Sequence, residues 1–356
     1  MSGDSDWKLG LIDSAWFGSE FEGLAGLQQA RRIGFDSLDL FVGFDPGRMT
    51  TAEREAYVNG AKSVDIPITS LVCTCLGLND FNPAIRGYHI ERATNVVELA
   101  AAFPTVQNLC FVPGEYMFQQ KLLPPSLEWN LVVDATRDVG KHAAARGLDL
   151  AIELLPFEFA FIRSLDTMER FLDEVSLENV KATVDISHMW LMRILPAEIG
   201  RLRGRIAHVH IADCDGINHG DLPPGRGNTP FGEYIAAIRD TGFVGTASVE
   251  LEFPPDPSGM LAWVEEAYLT SLQLLMDAGV HSTSRQAGRA STASAAPFTE
   301  QLITQGRADS GHWLANGPSW RSWHLAIRLA WPRPAPRVLP LGSPSPRYIQ
   351  RRTRAL

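Results

Sequence analysis

Short apolar runs rich in β-branched residues alternate with longer segments of helical period from Trp7 to about Val280. This alternation is typical of repeated βα units, in which the strands form a parallel sheet. The apolar runs predict eight strands, at residues 8–12, 37–41, 67–72, 106–112, 149–153, 181–185, 206–210 and 246–250. The helical segments predict eight helices, at residues 23–33, 51–63, 85–102, 127–146, 165–175, 196–202, 231–241 and 259–278. The pattern therefore indicates an α/β fold.

The turn after the first predicted strand distinguishes the two common arrangements of eight βα units. A doubly wound sheet normally has a glycine-rich phosphate-binding loop at this point. The turn reads IDSAWFGSEFEG at residues 12–23, with neither GxGxxG spacing nor a GK[ST] motif. We therefore predict a closed (β/α)8 barrel, or TIM barrel, as the catalytic domain over residues 1–280.

The composition is typical of a globular protein with a large core. The chain has 356 residues, of which 45% are hydrophobic and 21% are charged. No run approaches the ~20 apolar residues that a membrane span needs, and the N-terminal segment MSGDSDWKLG lacks the apolar centre of a signal peptide. Four cysteines are too few for a disulfide scaffold. We expect a cytoplasmic protein without a membrane partner.

The charge is divided unevenly between the barrel region and the last 76 residues. Residues 281–356 contain 11 Arg, no Lys and two acidic residues, a net charge of +9, which leaves −18 for residues 1–280 because the whole chain carries −9. Repeated prolines and the lack of a periodic pattern predict an irregular, unstructured basic tail at 281–356. Our hypothesis is a non-native extension, such as translation in a shifted frame. The alternative is a native basic arm that binds an acidic partner or the acidic barrel itself.

Four predicted strands end in a side chain that can bind a metal ion. The strings are AIE at 151–153, TVD at 183–185, HVH at 208–210 and SVE at 248–250. Because the carboxyl ends of all barrel strands meet at one rim, the terminal side chains are expected to lie together. Three carboxylates so close repel one another, and a divalent cation relieves the repulsion. The sequence therefore predicts one metal site with four ligands: Glu153, Asp185, His210 and Glu250.

The types of these four side chains restrict the metal. Oxygen-rich ligation with one imidazole suits Mn²⁺ best, and Mg²⁺, Co²⁺ and Zn²⁺ are alternatives. A register slip in the last strand would offer Glu252 instead of Glu250, although the alternation of strand side chains favours Glu250. Two further alternatives are that Asp185 only caps the following turn and that His210 only packs in the core.

Other side chains on the predicted rim loops are candidates for substrate contacts. Trp16 follows the first strand, with Phe17 and Phe44 on nearby loops, and aromatic faces of this kind stack on sugar rings. The polar candidates are Glu115, Glu158, His219 and Arg226. Each of these can instead order its own loop, and the aromatic rings can instead cover the barrel mouth or a subunit interface.

The strings around the predicted ligands resemble the sugar isomerase/epimerase superfamily of xylose isomerase-like barrels, over roughly residues 7–278. The matching strings are AIELLPFEF at 151–159, VDISHMWL at 184–191, AHVHIADCDG at 207–216, PPGRG at 223–227 and GFVGTASVELEF at 242–253. The resemblance implies the same four metal ligands, with His188 as a substrate contact and His208 nearby. In the epimerase branch it also implies that Glu153 and Glu250 transfer the proton on opposite faces of the substrate carbon.

These residues predict a metal-dependent isomerase or epimerase that acts on a ketose or another keto-sugar. A metal that binds a carbonyl and a neighbouring hydroxyl acidifies the adjacent C–H and stabilises an enediolate. The nearest alternative is a lyase on the same scaffold, either a keto-inositol dehydratase or a deglycosidase of 3-oxo-glycosides, including C-glycosides. The segments at 113–129 and 154–162 favour it, because they form a broad apolar rim. Minor alternatives are a non-catalytic metal-binding protein and a barrel-fold endonuclease.

The expected partner is a small-molecule sugar or glycoside. An acidic barrel argues against nucleic acid, because neutralising phosphates takes clustered Lys and Arg. Analogy with other proteins of this fold predicts a homo-oligomer, with a complex containing a second, smaller subunit as an alternative.

Overall fold

Eight parallel strands form a closed barrel in this protein. The structure is a computed structural model that describes residues 5–43, 49–113, 123–158, 160–252 and 257–282. The strands are β1 (Ser5–Ile12), β2 (Ser37–Gly43), β3 (Ile68–Cys75), β4 (Asn108–Pro113), β5 (Asp149–Glu153), β6 (Val180–Asp185), β7 (Ile206–Ile211) and β8 (Thr246–Val249). Consecutive strands pair in parallel, and β1 pairs with both β2 and β8, which closes the sheet. The predicted (β/α)8 barrel is confirmed.

Helices connect the strands on the outside of the barrel. They are α1 (Leu24–Ile33), α2 (Thr51–Ser63), α3 (Pro83–Ala101), α4 (Pro125–Ala145), α5 (Leu165–Val175), α6 (Ile186–Leu191), α7 (Phe231–Asp240) and α8 (Met260–Asp277). Two features differ from the sequence prediction. The segment Pro196–Leu202 is a 3₁₀ helix rather than an α-helix, and the short helix α6 directly after β6 was not predicted.

Local sequence signals explain where several helices begin and end. The Thr50 side chain accepts a hydrogen bond from the backbone of Glu53, whose carboxylate accepts one from the backbone of Thr50, so α2 begins with a capping box. At the other end of a helix, Gly34 follows α1 with a φ of +123°. A Cβ there would lie 2.5 Å from the Tyr268 hydroxyl, so only glycine allows this close approach.

The strands were readable from the sequence because parallel barrel strands are buried on both faces. All six residues of β4, for example, are buried, which gives an uninterrupted apolar run. At the N-terminal end of the barrel, Trp7 is fully buried against Phe243, and its indole N–H donates to the Phe243 carbonyl over 3.0 Å. A short ninth strand, β9 (Val280–Ser282), pairs in parallel with the start of β1.

Two predicted rim residues, Phe44 and Glu115, lie outside the described residues, and so does residue 283 onwards of the predicted tail. Within the part of the chain that the structure describes, no helix combines the length and apolar character needed to cross a membrane.

Candidate metal and substrate site

The barrel brings the four predicted metal ligands to one point on its C-terminal rim. Glu153 and Asp185 end β5 and β6, His210 lies near the end of β7, and Glu250 directly follows β8. All four are buried, and one ligand atom of each lies within 4.8 Å of the others. The register of the sheet accounts for part of this, because Asp185 and His210 are directly paired between β6 and β7.

The imidazole of His210 stands between the two glutamates. Its Nδ1 lies 3.1 Å from Oε1 of Glu153 and 3.1 Å from Oε2 of Glu250. Oδ2 of Asp185 is 3.9 Å from the same nitrogen. The glutamate in this group is therefore Glu250 and not Glu252, as the alternation of the strand favours.

Asp185 uses its two oxygens for different purposes. Oδ1 caps α6, since it accepts hydrogen bonds of 2.8 Å from the His188 backbone N–H and from the Ser187 hydroxyl. Oδ2 is buried beside His210 and has no hydrogen-bond partner among the described residues. Capping of α6 therefore explains the position of Oδ1 of Asp185 only, and Oδ2 can act as a metal ligand.

Burial and mutual repulsion dominate the electrostatics of the group. Burial raises the pKa of Glu250 to about 8, with His210 opposing the shift and repulsion from Glu153 and Asp185 adding to it. Burial lowers the pKa of His210, but attraction by Glu250 and Glu153 outweighs it and holds the pKa well above the ordinary value. The carboxylates of Glu153, Asp185 and Glu250 thus favour a positive charge in the space between them.

A divalent cation would satisfy carboxylate oxygens that the protein leaves without partners. Within the described chain, Asp185 Oδ2 and Glu250 Oε2 are buried and have no hydrogen-bond partner. Leaving a buried acceptor unpaired costs roughly 1–3 kcal/mol, more when it is charged. Three carboxylates and one imidazole are a ligand set that Mn²⁺, Co²⁺ or Zn²⁺ accepts. The four side chains therefore fit a divalent metal ion.

A cysteine beneath the site supports one of the glutamates. The thiol of Cys110 in β4 lies 3.5 Å from Oε2 of Glu153 and acts as its hydrogen-bond donor. Burial raises the pKa of Cys110 to about 12, and the Glu153 charge adds to this. The thiol therefore stays protonated and can donate. From the sequence, Cys110 had no recognisable signal beyond that of a small buried residue.

A polar network fills the barrel interior one layer below the site. His208 points inward like His210, two residues earlier in β7, and its Nε2 lies 2.9 Å from Oδ2 of Asp39 in β2. The same carboxylate accepts hydrogen bonds from Ser248 at 2.5 Å and from Thr69 at 2.9 Å. All four side chains are buried. The sequence analysis missed Asp39, although an acidic residue inside the apolar run SLDLF was a signal.

A single carboxylate shapes the loop after β7. Asp213 accepts hydrogen bonds from the backbone N–H groups of Cys214, Gly225, Gly227 and Thr229, at 2.8 to 3.2 Å. It also pairs with Leu222 through backbone hydrogen bonds of 2.8 and 2.9 Å. The segment 213–229 is therefore folded around one buried side chain, and it carries His219 to the barrel rim.

Of the predicted substrate contacts, His188 and His219 lie beside the four-ligand group. Nδ1 of His188 donates to the Leu154 carbonyl over 2.9 Å and lies 3.6 Å from Glu153 Oε1. Nε2 of His188 is 2.9 Å from Nε2 of His219. These two imidazoles thus extend the site towards the loop after β7.

The other predicted contacts have different surroundings. Trp16 is fully buried and packs edge-on against Phe21, which gives it a packing role and does not favour stacking on a sugar. Arg226 pairs with Glu266 at 2.9 and 2.5 Å and lies over the Trp263 ring at 4.8 Å. Glu158 is exposed. A substrate contact by Trp16, Arg226 or Glu158 stays a prediction.

The apolar rim segment that favoured a lyase is largely internal. Leu154, Leu155, Ala160 and Ile162 are all buried. Phe157 is partly exposed, and its ring packs against His219 at 5.1 Å. Phe161 is also partly exposed, so two aromatic rings of segment 154–162 reach the surface, and the lyase alternative stays a prediction.

Comparisons with known proteins identify the family of the barrel. The model of the xylose isomerase-like TIM barrel family matches residues 27–275. A fructoselysine 3-epimerase from Shigella flexneri is 22% identical over 236 residues, which are 63% of this chain and 83% of that protein.

Two solved structures share the fold. A 3-keto-D-glucoside 4-epimerase from E. coli has a TM-score of 0.62 at 21% identity, with 75% of this chain and 99% of that chain covered. The IOLI protein with a bound zinc atom has a TM-score of 0.65 at 17% identity, with 75% and 98% covered. The family match extends over most of the barrel, and the chain belongs to the xylose isomerase-like TIM barrel family.

Proposed function

We propose that this protein is a metal-dependent isomerase or epimerase of a ketose or another keto-sugar. The observation that carries the proposal is the pair of buried carboxylates, Glu153 and Glu250, on the two sides of His210 at 3.1 Å each. Two carboxylates on either side of one point suit reversible proton transfer to and from a carbon held between them. The sugar 3-epimerase and keto-glucoside 4-epimerase among the similar proteins support the same substrate class.

Glu153, Asp185, His210 and Glu250 would hold the metal. Bound there, a divalent cation would polarise the substrate carbonyl and make the neighbouring C–H more acidic. In the proposed reaction one glutamate takes the proton from that carbon and a carboxyl group returns it. Return to the opposite face gives an epimer, and return to the neighbouring carbon gives the aldose or ketose isomer.

The surrounding residues hold the reacting groups in place. The Cys110 thiol fixes one oxygen of Glu153. Asp185 is fixed by its hydrogen bonds to the start of α6. His188 is oriented by the Leu154 carbonyl, so that its Nε2 faces away from Glu153 and towards His219. A fixed and buried site of this kind needs little reorganisation during proton transfer.

Hydrogen exchange at carbon tests the proposal. The chain is loaded with Mn²⁺ and incubated in D₂O with a panel of ketohexoses and 3-keto-glucosides, and NMR follows deuterium at the carbon next to the carbonyl. We expect exchange with at least one sugar of the panel. Glu153→Gln and Glu250→Gln should each slow it by roughly 10²–10⁴-fold. The matched control is Glu265→Gln, because Glu265 pairs with Arg32 on the surface.

Two results would contradict the proposal. One is the absence of exchange with every sugar although the metal is bound. The other is release of the aromatic group from a 3-oxo aryl glycoside, read by its absorbance, without any isomeric sugar, which would establish the lyase instead.

A further inference from the structure

Two cysteine thiols lie together at the end of β3, on the side that faces α3. Sγ of Cys73 and Sγ of Cys75 are 3.7 Å apart, and both side chains are buried. Alternate residues of a strand point to the same face, so a C-x-C segment in an extended strand brings its two thiols close together. Cys110 in the neighbouring strand packs with a different group, Ile12 and Val72. The pair at residues 73 and 75 is therefore separate from the four-ligand group.

A small cleft connects one of these thiols with solvent. Cys75 lines it together with partly exposed residues from around the ends of β2 and β3 and from α3: Gly43, Thr74, Leu76, His89 and Arg92. The cleft has room for about one water-sized molecule. Cys75 is 8% exposed and Cys73 is 1% exposed. A small oxidant therefore reaches Cys75 before it reaches Cys73.

The surroundings of the two thiols assign them different roles. Hydrogen bonding to Cys75 and burial raise the pKa of Cys73 well above the ordinary value of a thiol, and the Arg92 guanidinium only partly opposes this. Cys73 thus keeps its proton and donates to the sulfur of Cys75. Redox-active pairs commonly place an accessible sulfur next to a second thiol that resolves the oxidised product. Cys75 fits the first role and Cys73 the second.

The geometry permits a bond between the two sulfurs. A disulfide bond is about 2.0 Å long, so the sulfurs of Cys73 and Cys75 have to approach by about 1.7 Å. Cα atoms two positions apart in a strand are about 6.6 Å apart, near the upper end of the roughly 4.4–6.8 Å that disulfides span. A bond at this limit is strained, and strained disulfides are readily reduced. Its formation is therefore reversible.

The other two cysteines lack a thiol partner in the described chain. Sγ of Cys110 lies near Glu153 and Thr183, and Sγ of Cys214 lies near Thr229. Burial raises the pKa of both thiols, to about 12 for Cys110. Because the thiolate is the reactive form, both should resist oxidation and serve as internal controls.

We propose that Cys73 and Cys75 form a redox-sensitive dithiol that a hydroperoxide converts into an intrachain disulfide. The Cys75 sulfur attacks one oxygen of the peroxide, the O–O bond breaks, and the other oxygen leaves with the thiol proton as water or an alcohol. The Cys73 sulfur then attacks the Cys75 sulfenic acid, the S–S bond forms, and the S–O bond breaks with release of water. The two thiols lose two protons and two electrons, and the peroxide is reduced. Two molecules of a small thiol reverse the reaction by exchange and leave as their own disulfide.

Peptide mapping of the full chain tests the proposal. The protein is treated with dilute hydrogen peroxide in the presence of a chelator, quenched in urea with N-ethylmaleimide and digested with trypsin. The tryptic peptide 63–86 contains Cys73 and Cys75 and no other cysteine. We expect it to carry no maleimide, to be about 2 Da lighter than the free dithiol, and to regain both labels after incubation with glutathione. Oxidation of this pair should exceed that of Cys110 and Cys214 by at least about 10-fold.

Single variants test the order of attack. In Cys73→Ser the sulfenic acid of Cys75 has no resolving thiol, so dimedone in the urea quench should label Cys75. In Cys75→Ser the thiol of Cys73 should stay free of dimedone. Cys214→Ser is the matched control and should form the disulfide like the wild type. Circular dichroism checks the fold of each variant.

The wild-type map decides the proposal even if a variant does not fold. Maleimide on both thiols of peptide 63–86 after peroxide treatment overturns it, and so does oxidation of Cys110 or Cys214 to the same extent. Equal dimedone labelling of Cys73 and Cys75 in the two single variants overturns the assigned order of attack.

Discussion

The buried network around Asp39 provides a sharp test of what stabilises this barrel. Asp39→Ala removes the acceptor of hydrogen bonds from His208, Ser248 and Thr69, all of them buried. Each buried donor that is left unpaired costs roughly 1–3 kcal/mol, and the substitution leaves three of them. We therefore expect the free energy of unfolding to fall by at least about 3 kcal/mol.

Urea unfolding of the metal-free protein, followed by far-UV circular dichroism, measures this difference. The matched control is Asp134→Ala, because Asp134 is 71% exposed in its pair with Arg137 and should contribute less than about 0.5 kcal/mol. A loss for Asp39→Ala of under about 1 kcal/mol, similar to the control, would refute the reasoning that the network stabilises the barrel.

Three further predictions concern pH and the loop after β7. Although burial raises it, the pKa of Asp39 is held below the ordinary 3.8 by His208 and the hydroxyl donors. Its stabilisation is therefore present above pH 3.8 and lost as the pH falls through the lower folded value. The free energy of unfolding is compared between the wild type and Asp39→Ala. If this difference already shrinks between about pH 7 and 5, the pKa of Asp39 is not lowered as stated. Asp213→Asn should speed amide hydrogen exchange in residues 213–229 by about 100-fold, because two charged hydrogen bonds are lost, and exchange in the barrel strands should not change. Exchange of the loop at the same rate in the variant and the wild type would contradict the role of Asp213. In Gly227→Ala the new Cβ would meet the Cys214 carbonyl at 2.1 Å, so the Tm should fall by about 4 °C. Gly232→Ala is the control and should not lower the Tm, because its new Cβ would have no atom within 4 Å among the described residues. Equal Tm values for the two variants would contradict the prediction.

The sequence predicted the barrel, and it predicted that Glu153, Asp185, His210 and Glu250 lie together, for physical reasons. Parallel strands are buried on both faces, so each leaves a continuous apolar run, and the side chain that ends such a run must face the rim. Asp185 and His210 could be placed together in this way, because their positions follow from strand ends alone. No knowledge of contacts distant in sequence was needed.

Other parts of the site depend on such distant contacts and were missed. Asp39 gains its role from His208, 169 residues later in the chain. Asp213 acts through loop geometry, which no periodic pattern encodes. The sequence placed Trp16 on a rim loop because it follows the first strand, but its ring packs against Phe21. Short local elements such as α6 are equally hard to predict, because one capping side chain defines them.

Direct measurement of Mn²⁺ binding by calorimetry tests the central claim that Glu153, Asp185, His210 and Glu250 hold a divalent metal. The chelator-treated protein is titrated with Mn²⁺. We expect one Mn²⁺ per chain, with the affinity weakened at least about 100-fold when Glu153→Gln and Glu250→Gln are added. Absence of binding before these two substitutions, or unchanged affinity after them, would contradict the account.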